Sequence, residues 1–102
     1  MKMLPLPTHD ISKFTISDNK LVAEASSLGV NSTNLYGRLY HDACDIGLHV
    51  HNPRTGKTVL FLYTYAMKNS EGETEGWTFS PDHLDVERFP KLAGMKLVIL
   101  ND

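Results

Sequence analysis

The sequence predicts a mainly β protein: a single small antiparallel barrel or sandwich of six to seven short strands, with at most one short helix near residues 81–89. Three observations carry this. Two alternating runs, Ile11–Ser17 and Lys20–Ala25, flank the polar pair Asp18-Asn19, the pattern of a β-hairpin. Two apolar runs, Ile46–Val50 and Val59–Tyr65, flank a turn with Asn52-Pro53 at its start and Gly56 at its end. No second crossover helix can be found, which disfavours parallel βαβ units.

Each element follows from its residues. Residues 1–10 are expected to form an extended arm, because Pro5 and Pro7 remove two backbone donors and push their predecessors toward extended angles. Residues 11–102 are expected to form one β-rich domain. After the first hairpin, Ser26-Ser27-Leu28-Gly29 ends the strand, with Gly29 able to take a positive φ. In the segment from Val30 to Cys44, Leu35/Leu39 and Tyr36/Tyr40 pair at helical spacing, while Gly37 weakens a helix by about 1 kcal/mol relative to Ala. A strand with Gly37 at a bulge is the preferred reading there.

The arm from Thr58 to Ala66 is apolar on both faces, which suits a strand in the middle of a covered sheet or inside a small barrel. Lys68–Glu73 is a polar turn, and Glu75–Phe79 a short aromatic strand carrying Trp77, the first choice for the core. Ser80-Pro81-Asp82 has the form of a helix start, with Ser80 as N-cap and Pro81 at the first helical position; Pro90 stops that helix. Met95–Leu100 is a final apolar strand.

Composition narrows the function classes. The chain has 102 residues, enough for one modest core. Ten basic residues against twelve acidic ones leave a formal charge of −2, so no global basic field is present to hold a phosphate backbone, and a nucleic-acid partner is disfavoured. Nothing approaches an apolar run long enough to cross a membrane as a helix. Cys44 is the single cysteine, which forms no internal disulfide and suits a reducing, cytoplasmic setting.

Three islands carry a resemblance. They are Glu24-Ala25-Ser26-Ser27-Leu28-Gly29; the block from Thr55-Gly56-Lys57-Thr58-Val59 through Asn69-Ser70-Glu71-Gly72-Glu73 to Gly76-Trp77-Thr78-Phe79-Ser80-Pro81; and Lys96-Leu97-Val98-Ile99-Leu100-Asn101-Asp102. Together they resemble a group of small uncharacterised proteins of bacteria and their phages, which open on a hairpin and end on an apolar strand followed by Asn-Asp. Asn31–Leu35 stands where that group has a proline- and tryptophan-rich segment. The resemblance implies a bacterial or phage origin and brings no activity, cofactor or site residue with it.

Few constellations carry chemistry. Gly56-Lys57-Thr58 lacks the upstream glycine of a phosphate loop, since His51 stands at that position, and it leads into a strand where a helix is required. His49 and His51 lie at i,i+2, on one face of a strand and about 7 Å apart along it. They form a candidate metal pair, with His41, Asp42, Asp45 or His83 as third ligand. His41, three residues from Cys44, would point to the opposite face of a strand, which argues against a cysteine nucleophile. Glu71, Glu73 and Glu75 alternate in a solvated loop. Arg38, Tyr40, Arg54 and Lys57 are the candidates for a binding surface.

The resulting expectation is a small non-enzymatic binding or protein-interaction module with no cofactor. Its partner would be a protein or a second copy joined through an exposed edge strand. Met95–Leu100 is a candidate edge; the alternative pairs it centrally and leaves the N-terminal arm to cover the true edge. Two other functions remain open: a metal-binding β-barrel or metal-dependent enzyme using His49 and His51, and single-strand nucleic-acid binding through tyrosine and arginine.

Overall fold

The computed structural model describes residues 8–30 and 47–102. Those residues form a mainly β structure, one seven-stranded sheet curled into a half-barrel. The strands are β1 (Thr8–Asp10), β2 (Thr15–Ser17), β3 (Lys20–Glu24), β4 (Gly47–Asn52), β5 (Lys57–Lys68), β6 (Thr74–Pro81) and β7 (Lys96–Leu100). One α-helix, α1 (His83–Arg88), and three 3-10 turns (Ile11–Lys13, Ala25–Leu28 and Pro90–Leu92) complete the described residues. The strand or helix expected within Val30–Cys44 lies almost wholly outside them.

Turn chemistry sets both predicted hairpins. Asp18 and Asn19 take left-handed angles, φ 47° and 60°, the pair of positive values that a two-residue hairpin turn requires and that Asp and Asn tolerate best after glycine. In the β4–β5 turn the Asn52 carbonyl accepts from the Gly56 amide at 2.8 Å, and its Oδ1 accepts from the Arg54 amide at 3.0 Å. Gly56 supplies the positive φ of 70° that reverses the chain there.

The order across the sheet is β1-β4-β5-β6-β7-β3-β2. Four neighbouring pairs are antiparallel, and two, β1–β4 and β3–β7, are parallel. The expectation of an all-antiparallel sheet is corrected at these two places. Both parallel pairs join segments far apart in sequence, as parallel pairing requires a long connection. The C-terminal strand is central: β7 pairs with β6 on one side and β3 on the other. The sheet's edges are β1 and β2.

Chain connectivity forces the curl. Seven strands laid flat would put the two outer ones about 29 Å apart, at roughly 4.8 Å per interval. Yet only five residue steps separate Asp10 at the end of β1 from Thr15 at the start of β2, a reach of at most about 17 Å. The 3-10 turn Ile11–Lys13 spans the gap. The alternation of Ile11, Lys13 and Thr15 reads as strand, but Asp10 Oδ1 accepts the Ser12 amide at 2.8 Å and the Ile11 carbonyl accepts the Phe14 amide. Those bonds wind the segment into a turn.

Inward-facing side chains fill the concave side. Trp77, Phe79, Leu97 and Ile99 are fully buried, and Phe14, Leu21, Leu48, Val50 and Phe61 join them. Tyr63 meets Phe79 edge-on at 5.8 Å between ring centroids, a favoured aromatic geometry. The helix starts later than the sequence suggests. Ser80 and Pro81 still belong to β6, with Pro81 opposite Phe61, and Asp82 is the N-cap, its Oδ1 accepting from the Leu84 amide at 3.3 Å. As the last residue of its strand, Pro81 removes no interior ladder bond.

Candidate functional site

The loops at one end of the half-barrel surround an apolar cavity of about 310 Å³. Its floor is the inward face of the sheet: Leu21 from β3, Val50 from β4, Val59 and Phe61 from β5. One wall comes from the segment that bridges the sheet edges, with Ile11 in the 3-10 turn and Ile16 on β2. The opposite wall is Phe89, Leu92 and Met95, between α1 and β7. Pro90 ends α1 and opens the 3-10 turn that brings Leu92 to this wall.

Four polar residues complete the lining, and the two charged ones among them are both lysines. Asn52, Thr55 and Lys57 approach from the β4–β5 turn, and Lys91 from the 3-10 turn after α1. The Lys57 ammonium sits 4.9 Å from the centre of the Phe89 ring, and the Arg88 guanidinium 5.4 Å from the same ring. Arg88 is also paired with Asp85. Among the described residues, no carboxylate forms an ion pair with Lys57 or Lys91. Ile16, on β2, lines the cavity and is 67% exposed although it is apolar.

The candidate metal pair lies elsewhere. His49 and His51 flank the buried Val50 and share the outer face of β4. His51 Nδ1 and Thr58 Oγ1 are 2.8 Å apart and hydrogen-bonded. Among the described residues no three His, Cys, Asp or Glu side chains gather as a metal would need. His83 is on α1, its Nδ1 3.1 Å from Asp82 Oδ1. His41, Asp42 and Asp45, the other third-ligand candidates, lie outside the described residues, as do Cys44, Arg38 and Tyr40.

Of the four surface candidates, Arg54 and Lys57 are described, both in or beside the β4–β5 turn, and Lys57 lines the cavity. Sequence reasoning missed Lys91 and the apolar wall of Ile11, Phe89 and Leu92. No spacing links these residues: Ile11 falls in a run expected to be strand and Phe89 at the end of the expected helix, and neither pattern brings them together. No helix among the described residues is long and apolar enough to cross a membrane. In comparisons with known proteins, no family model, curated protein or solved structure matches this chain.

Proposed function

We propose that this chain is a small non-enzymatic binding module whose ligand enters the apolar cavity at the mouth of the half-barrel. One observation carries the reading: side chains from the Ile11 turn, β2, β3, the β4–β5 hairpin and the segment from Phe89 to Met95 converge on one apolar space that Lys57 and Lys91 also line. Barrel mouths are habitual ligand sites, and about 300 Å³ is the lower end of the usual pocket range. The cavity is roughly twice the ~150 Å³ void that takes benzene. It therefore suits an apolar group of about twelve heavy atoms. The single Cys44 supports a cytoplasmic setting for the module.

Partner binding by strand addition has less support. Among the described residues one outer strand, β2, is only three residues long, and very short edge strands are a common way of discouraging such pairing. A methyl-resolved NMR titration with n-decanol tests the cavity reading. Shifts confined to Ile11, Val50, Val59, Leu92 and Met95, with Ala25 and Leu28 unmoved, are expected. Uniform or absent shifts would sink it.

A further inference from the structure

The charge at the cavity mouth points to the chemistry of the ligand. We infer that the cavity takes an anionic amphiphile, an apolar body of about twelve heavy atoms ending in a carboxylate, with the carboxylate held between Lys57 and Lys91. This rests on the binding-module reading above and gives it a substrate class.

Three facts support the assignment. The lining contains two lysines and no acidic residue, although acids outnumber bases twelve to ten in the chain as a whole. Neither lysine is in an ion pair with a carboxylate among the described residues, whereas Arg88, next to the lining residue Phe89, is bound by Asp85. Among the described residues, then, no carboxylate competes with an incoming anion for these two ammonium groups. Finally, Lys57 Nζ rests over the Phe89 ring, so its charge lies against the apolar wall.

Other ligand classes fit less well. A cationic head group would meet two positive charges and no counter-charge. A neutral one would leave both lysines without a role. Among the described residues no arginine lines the cavity and Arg88 is engaged by Asp85, so recognition is by the lysines as point charges.

The test compares decanoate, n-decanol and decylammonium by calorimetry and NMR, the two ions below their micelle concentrations and decanol below its solubility limit. Decanoate should bind roughly tenfold more tightly than decanol, the sum of two partly exposed charge contacts. Raising the salt should erode that advantage. In Lys57→Met/Lys91→Met, which keeps the apolar stems, the decanoate-to-decanol ratio measured on that variant should fall to about one. Lys57→Arg/Lys91→Arg should retain the preference. Equal binding of decanoate and decanol, unaffected by the methionine pair, would overturn the anion assignment and leave the cavity reading standing. If neither binds the wild-type protein, the cavity reading fails, and the anion assignment with it.

Discussion

Asp85 shows how a single side chain can tie a helix to the sheet. It is 3% exposed; its Oδ2 accepts the Leu60 amide at 2.7 Å, and its Oδ1 pairs with Arg88. Losing the carboxylate leaves a strand amide without its partner, so Asp85→Ala should cost roughly 1–3 kcal/mol in urea denaturation, and Asp85→Asn, which keeps an acceptor, less. His9 acts through its proton. Burial, and secondarily Lys13, holds its imidazole below the ordinary 6.5. As the pH falls, the unfolded chain therefore takes up that proton first. The stability His9 contributes is complete above about pH 6.5 and is lost as acidity moves the pH down through the folded value. Scanning calorimetry between about pH 7 and pH 5 should show a shallower fall in Tm for His9→Gln than for wild type.

At the scale of elements, strand contacts depend on particular small residues and turns. A Cβ on Gly76 would lie 2.5 Å from the Ile99 carbonyl oxygen and 2.8 Å from Met67 Cε. The backbone of β7 cannot yield cheaply, so Gly76→Ala should destabilise by roughly 1–3 kcal/mol. Asn19→Val puts a branched side chain at φ 60° and should cost about 1–2 kcal/mol; chemical denaturation measures both. Elements like these were legible where the signal is local. Asp18-Asn19 and the Asn52–Gly56 turn announce their hairpins, and Trp77 lies in the core as its size suggests. Segments whose shape depends on distant partners were not legible. Ile11–Lys13 alternates like a strand yet must cross between two sheet edges. Ser80-Pro81 looks like a helix start, but β5 holds it as strand.

At the scale of the whole described sheet, the curl depends on the short tie between β1 and β2. Phe14 sits at the end of that tie and is 8% exposed. Phe14→Ala should cost about 3 kcal/mol, and hydrogen exchange should quicken at the β1–β4 and β2–β3 amides beyond what the global loss explains. The cavity belongs to this scale too, which is why the sequence hardly reveals it. Ile11, Ile16, Leu92 and Met95 share no motif and meet only because the sheet is rolled. Lys57 alone stood out beforehand, as a turn lysine. The position of β7 has a consequence of a different kind. The strand synthesised last among the seven lies between β6 and β3, and it matches Leu97 with Leu21 across 76 positions of chain. Until it emerges from the ribosome, β3 and β6 each keep an open side. Such distant pairing makes for slow folding, and the waiting chain carries exposed strand edges that attract its neighbours. Synthesis of this protein is thus a race between the arrival of one late strand and the encounter of two unfinished copies.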